Sequence, residues 1–137
     1  MDAISAAMKI AGSGLEAQSL RVRMVSENVA NATSLGSAPG ADPYRRKTIV
    51  FQNAFDRALG ANMVEVKRIG VDPGAFALSY DPAHPAANAD GYVKMPNVNP
   101  LIEMTDMREA TRSYEANLSM IEQARGMAMS TIALLDN

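Results

Sequence analysis

The 137-residue chain has no cysteine and one histidine. The first absence excludes disulfides, thiolate catalysis and cysteine-based metal sites, though it leaves the compartment open. The second leaves little from which to build a Ser/His/Asp site, since His84 sits in the turn-like run Asp81-Pro82-Ala83-His84-Pro85. A metal or acid/base cluster of Asp81, His84 and Asp90 would need convergent side chains, and two prolines followed by Ala-Ala-Asn do not supply that convergence. A proline turn with polar tips is the simpler reading. The segment also lacks the alternating ligands and terminal glutamate of a calcium loop. Gly12-Ser13-Gly14 has neither the Lys-Ser/Thr ending of a P-loop nor the flanks of a nucleophile elbow. No enzymatic activity, metal or cofactor is expected.

Long apolar runs are missing too. Lys9, Glu16, Arg21 and Glu27 interrupt the first apolar stretch, and nothing approaches the ~18 residues of a membrane span. The opening Met1-Asp2-Ala3-Ile4-Ser5 has no basic segment leading into an apolar block, so a cleaved secretory signal is not expected. Charge of one sign is scarce. A net charge of −2 with interspersed signs gives no footprint for nucleic acid. The distribution is nonetheless uneven, because the stretch from Leu101 onward holds three basic and six acidic residues. The densest basic cluster, Arg45-Arg46-Lys47, follows Tyr44 and has no reading helix or aromatic platform beside it. It suits a strand start, or an ion-pairing contact with an acidic neighbour such as the C-terminal helix of another subunit.

What the chain does have is a heptad stripe at each end. Ile4, Met8, Ala11, Leu15, Gln18, Val22, Val25, Val29 and Ala32 fall at alternating four- and three-residue steps. Met107, Thr111, Tyr114, Leu118, Ile121, Arg125, Ala128, Ile132 and Leu135 do the same. A 3.5-residue repeat keeps one stripe of a helix facing a partner. The two stripes therefore predict helices that lie against each other or against copies of themselves, about 45 and 50 Å long at 1.5 Å per residue. Gln18 and Arg125 are polar positions within the stripes, suited either to setting register or to facing a wet lumen. Gly12 and Gly14 weaken the first helix by ~1 kcal/mol each. They mark a kink or the close approach of another helix, unless Ser13 caps a helix starting there. Ten methionines, several near the C-terminus, suit either surfaces that meet non-identical neighbours or an ordinary helix core.

Between the helices, residues 34–43 read as loop. Strand-like runs follow at Arg46–Phe51, Val64–Val71 and Phe76–Tyr80, the last alternating as a half-buried strand does. Asn53–Leu59 reads as a short helical turn. The expected fold is α+β, with long terminal helices paired in coiled-coil fashion and a small β-rich middle. Its parts are a helix over 1–33, a middle domain over 34–100 and a second helix over 101–137. A middle of roughly 65 residues buries only ~60% of its unfolded surface and is marginal alone.

The runs Ser13-Gly14-Leu15-Glu16-Ala17-Gln18, Arg21, and Ser26-Glu27-Asn28-Val29-Ala30-Asn31-Ala32-Thr33 resemble the N-terminal signature of bacterial flagellar rod and hook proteins, S-G-L-x-A-Q, an arginine, then S-x-N-[IV]-A-N-x-x-T. Tyr114-Glu115-Ala116-Asn117 matches the Y-E-A-N of the C-terminal helix in that family. Pro43–Lys47, Asp81–Pro85, Asp90–Val93 and Pro96–Asn99 narrow the resemblance to its proximal rod members, over nearly the whole chain. The loop from Ser34 to Asp42 follows no family motif, and the tail from Arg125 is less distinctive.

The resemblance implies a structural subunit of the flagellar basal body. Such subunits polymerise into a helical tube that transmits torque and surrounds an export channel, with the terminal helices as inner layer and the middle domain outside. Implied partners are other rod proteins, copies of itself, the basal adaptor that joins rod to membrane ring, and the rod cap. Neither nucleic acid binding nor membrane insertion is implied. The implied location is the periplasmic rod, reached by export without a cleaved signal. Residues expected at assembly contacts are Ile4, Met8, Leu15, Gln18, Val22, Val25, Asn28, Val29, Asn31, Met107, Tyr114, Asn117, Leu118, Ile121, Ile132 and Leu135. A soluble coiled-coil adaptor or secretion chaperone would share the heptads but has no need of the two signatures. An enzyme centred on His84 would lose function on His84→Ala.

Overall fold

Both predicted helices form, and their ends show why. A computed structural model of the chain describes Asp2 through Asp136; Met1 and Asn137, the outermost residues of the two terminal segments, lie outside the described residues. Helix α1 spans Ala3–Ala30. Asp2 caps it, its Oδ1 accepting the Ser5 amide at 2.7 Å. At the other end the Glu27 carbonyl accepts both the Asn31 amide at 3.0 Å and the Asn31 side chain at 2.9 Å, a doubled contact that closes the last turn. Helix α2 spans Pro100–Leu135. Proline at the first helical position loses no hydrogen bond there, and Asn99 Oδ1 caps the helix by accepting the Leu101 amide at 3.1 Å.

Strands β1 (Lys47–Asp56) and β2 (Ala61–Val71) form one two-stranded sheet, and β3 (Ala77–Tyr80) and β4 (Tyr92–Met95) form another. The four-residue connection between β1 and β2 permits only an antiparallel hairpin. Its turn is held by Asp56, whose Oδ1 accepts the amides of Ala58 and Leu59 at 2.8 and 3.1 Å. The helical turn expected over Asn53–Leu59 is therefore not there. Strand β1 continues to Asp56, because hairpin pairing satisfies backbone groups that a single helical turn would leave open. The strand over Phe76–Tyr80 is present from Ala77, but all four of its residues are exposed, so it is not half-buried. Its alternation places Leu78 and Tyr80 on one face, where both stay largely exposed, Tyr80 meeting the Tyr92 ring edge-on at 5.3 Å. Strand β4, which the sequence reading did not anticipate, pairs with it antiparallel in the register Leu78↔Lys94 and Tyr80↔Tyr92. Gly91, at φ 84°, leads into β4; a Cβ there would lie 2.9 Å from the Tyr80 ring and 3.1 Å from Pro82.

The chain divides into two compact units. The first contains residues 1–22, 49–68 and 108–137, the second residues 23–48 and 69–107. In the first, α1 lies against α2 through small residues. Ala11, Ala17, Ala110 and Ala124 are buried, and an added Cβ on Gly14 would come within 2.8 Å of the Asn117 side chain. Small side chains at such a contact let helix backbones approach closely. The helix runs unbroken through Gly12-Ser13-Gly14, so Ser13 is not its cap. Instead the Ser13 hydroxyl donates to the Ile10 carbonyl at 2.7 Å and accepts the Val64 amide at 3.1 Å, tying β2 to the helix. Gly14→Ala should be nearly neutral in thermal melts, since the ~1 kcal/mol gained in helix propensity offsets displacement of Asn117. Gly14→Leu should cost about 1–3 kcal/mol by overpacking.

In the second unit Met24, Val25, Ala86 and Val93 are buried. Two of its three largest fully buried side chains are polar, Asn28 and Glu103. Its interior is organised by hydrogen bonds as much as by apolar contact.

Candidate assembly interface

The rows buried inside the chain are not quite the rows that the heptads picked out. On α2 the inward positions are Glu103, Ala110 and Ala124, with Asn117 half-buried between the last two, a strict seven-residue series. Tyr114, Leu118 and Arg125, each one residue further on or from a flanking position, are exposed. On α1 the inward positions include Ala11, Gly14, Ala17, Val25 and Asn28, while Leu15 and Val22 are half-buried and Val29 is exposed. One residue is about 100° of rotation on a helix. The intrachain contact thus uses the small and polar stripe, and the bulkier apolar stripe beside it is only partly covered.

Two open grooves lie along the contact between α1 and α2 in the first unit, the smaller of them bordered by the bulkier stripe. One, of about 260 Å3, is lined by Ser19, Val22, Thr111 and Tyr114. Another, of about 400 Å3, is lined by Ala7, Ile10, Ala11, Ala116, Asn117 and Met120. Towards the C-terminus, exposure rises: Leu118 is 40% exposed, Ile132 58% and Leu135 80%. Met127, Met129 and Leu134 are exposed with them. Between Arg125 and Asp136 no charged residue interrupts this end of the helix. Exposed apolar side chains in this number mark an interaction site. Arg21 and Glu109 add an ion pair at 3.4 Å. Gln18 turns inward, its Oε1 buried and accepting no hydrogen bond among the described residues, whereas Arg125 is exposed.

The second unit holds a polar clamp. Asn28, 1% exposed, bonds both peptide groups of Lys47 as a neighbouring strand would. Its Nδ2 donates to the Lys47 carbonyl at 3.0 Å, and its Oδ1 accepts the Lys47 amide at 2.9 Å. The same Oδ1 accepts the Tyr44 hydroxyl at 2.7 Å, and Nδ2 also donates to Glu103 Oε2 at 3.3 Å. All four hydrogen-bonding positions of the amide are used. Glu103, 0% exposed, receives Arg46 Nε on its other oxygen. The guanidinium of Arg46 also reaches Asp106 at 3.4 Å and Asp72 at 3.5 Å, and this acidic surround, Glu103 foremost, raises its pKa further. A buried carboxylate is tolerable only with such pairing, since leaving it alone costs several kcal/mol. Burial raises the Tyr44 pKa. Beside the clamp, Arg45 donates to the carbonyls of Asp72 and Gly74 at 2.8 and 2.9 Å and stacks on Phe76 at 4.1 Å.

Within the basic cluster Arg46 is the residue that pairs with α2, and its acidic partners there belong to the same chain. Lys47 pairs with Glu27 at 2.8 Å. The Lys47 hydrogen bond holds the Glu27 carboxyl below its ordinary 4.5, and the same bond raises Lys47. A depressed carboxyl stabilises the fold above its unfolded pKa, and that stabilisation is lost as pH falls through the folded value. The stability gap between wild type and Lys47→Met should thus be small, open at neutral pH, and close below about pH 4. High salt should narrow it, because the pair is half-exposed. Acid titrations followed by far-UV circular dichroism at two salt concentrations check this.

Of the residues expected at assembly contacts, Ile4, Met8, Leu15, Gln18, Val22, Asn31, Met107, Asn117 and Ile121 are half-buried, and Val25 and Asn28 are buried. Val29, Tyr114, Leu118, Ile132 and Leu135 are exposed. Tyr44 and Glu103 were not singled out by the sequence. The signal for Glu103 was a lone acid in the first turn of a helix, which ordinarily reads as a dipole contact at the surface. His84 stabilises its own turn, with Nδ1 accepting the Ala86 amide at 3.0 Å. Among the described residues no group of three or more His, Asp or Glu could hold a metal ion, and no helix is long and apolar enough to cross a membrane.

Paired terminal helices, a small β-rich middle and a partly uncovered apolar stripe define an α+β protein with a surface suited to assembly. Residues 89–134 match the family model described as flagellar basal body rod FlgEFG protein, C-terminal. A flagellar basal-body rod protein FlgC of Agrobacterium fabrum is 62% identical over 135 residues, covering 98% of this chain and 97% of the relative. Those of Yersinia enterocolitica and Bacillus subtilis are 40% and 38% identical, covering 91% and 93% of this chain and 92% and 95% of the relatives. The chain belongs to the FlgC family of flagellar basal-body rod proteins.

Proposed function

We propose that the chain is a structural, non-enzymatic subunit of the proximal rod of the bacterial flagellar basal body. It polymerises with other rod proteins and with copies of itself into a helical tube that transmits torque and encloses an export channel. Residues 1–33 and 101–137 form the inner helical layer, and residues 34–100 form the outer domain. The observation that carries this reading is the displaced stripe. The two helices satisfy each other with alanine, glycine and asparagine, leaving Tyr114, Leu118, Ile132 and Leu135 of the stripe, with Met129 beside them, for other chains. At the base the neighbour is the adaptor to the membrane ring, and during growth the rod cap contacts the leading subunits. Delivery is through the channel itself, to the periplasmic stretch of the rod.

The absence of cysteine makes the test direct. A single Met129→Cys substitution should react rapidly with a maleimide in the purified subunit, since Met129 is exposed. In isolated basal bodies the same thiol should be protected at least tenfold. Equal labelling in both states would remove this surface from the interface.

A further inference from the structure

We infer that Asn28, Arg46 and Glu103 form a three-way clamp that makes the end of α1, the start of β1 and the start of α2 order in a single step in the unassembled chain. These residues come from segments distant in sequence, 28 and 103 lying 75 positions apart. Each segment supplies what the other two lack. The fully buried Glu103 has its two oxygens held by different segments, one by Asn28 of α1 and the other by Arg46 ahead of β1. Asn28 in turn has donors and acceptors committed to Lys47, Tyr44 and Glu103 at once. Removing any one segment leaves buried polar groups of the other two without partners, which is the condition for all-or-none behaviour in a polar network. Met24, Val25 and Val93 supply too small an apolar core to hold any of the three by itself.

The mechanical consequence is a fixed starting point for both helices. Once the clamp closes, α1 is anchored at its C-terminal end and α2 at its N-terminal end, so each has a nucleated turn from which the rest extends. This device concerns the free subunit and does not depend on what the helices later contact.

The test is amide hydrogen exchange on the purified full chain, comparing wild type with Tyr44→Phe. The Tyr44 hydroxyl bonds Asn28, not α2, and its removal is mild enough to leave the fold in place. The clamp predicts that amides of residues 23–30, 47–50 and 103–107 share one opening equilibrium, and that Tyr44→Phe speeds exchange of all three sets by a common factor of about threefold to tenfold. Asn28→Ser should do the same with a larger common factor. Acceleration confined to residues 44–50, with residues 103–107 unchanged, would overturn the inference. So would a wild-type chain whose three segments are unprotected. Either result leaves the assembly reading intact, because that reading is tested on basal bodies.

Discussion

Arg46→Met is expected to be the most damaging single substitution in the second unit, costing about 3–5 kcal/mol of folding free energy. The side chain it removes is the cation on Glu103, and that carboxylate is 0% exposed. Methionine fills much of the volume, so the loss is electrostatic rather than a cavity. Asn28 keeps donating to Oε2 at 3.3 Å, but an amide bond cannot neutralise a buried charge. The unit has roughly 65 residues, and domains of that size hold about 3–10 kcal/mol in all. Urea denaturation should therefore show the unit largely unfolded, or its midpoint sharply lowered. The double variant Arg46→Met/Glu103→Gln discriminates the cause. Removing the charge while keeping the shape should recover about half the loss, because a neutral amide without full partners costs only ~1–3 kcal/mol. If the double variant is no better than the single one, packing of the Arg46 stem is what matters.

The largest functional effect should come from a substitution that barely changes the free subunit. Ile132→Asp alters a residue that is 58% exposed, so folding stability should stay within about 0.5 kcal/mol of wild type. In an assembled rod the same carboxylate would be buried among apolar side chains, at a cost of several kcal/mol per contact. Repetition around a polymer multiplies that cost, so swimming on soft agar should be abolished and rods should be absent from basal-body preparations. Leu118→Asp, at 40% exposure, should give the same phenotype by the same route. His84→Ala, which removes only an acceptor for the Ala86 amide, should swim normally. Normal swimming by both aspartate variants would mean that the outward stripe of α2 has no partner. The subunit would then have to assemble through its middle domain.

The periodic ends and the turn-rich middle are legible in the sequence. Apolar period, capping residues and proline placement act locally, within a few residues of where they occur. The two signature motifs carried the family for the same reason, being short strings on single helices. What did not follow from local rules is which side of each helix the chain would use for itself. Adjacent stripes on α2, one through Ala110 and Ala124 and one through Tyr114 and Leu118, both have heptad spacing. The period alone cannot choose between them. Close approach at Gly14 and Asn117 made that choice, because only the small stripe lets the two backbones come within contact distance. The strand β4 and the exposed β3 depended likewise on pairing across an eleven-residue connection.

By itself the sequence determined the helices, their ends, the absence of thiol chemistry and the family. The tertiary structure decided that a basic cluster at 45–47 answers an acid 57 residues away in its own chain, and that Asn28 mediates between them. Desolvation supplies the reason. Charges and amides far apart in sequence stay hydrated unless folding brings them together, and only then does their pairing become obligatory.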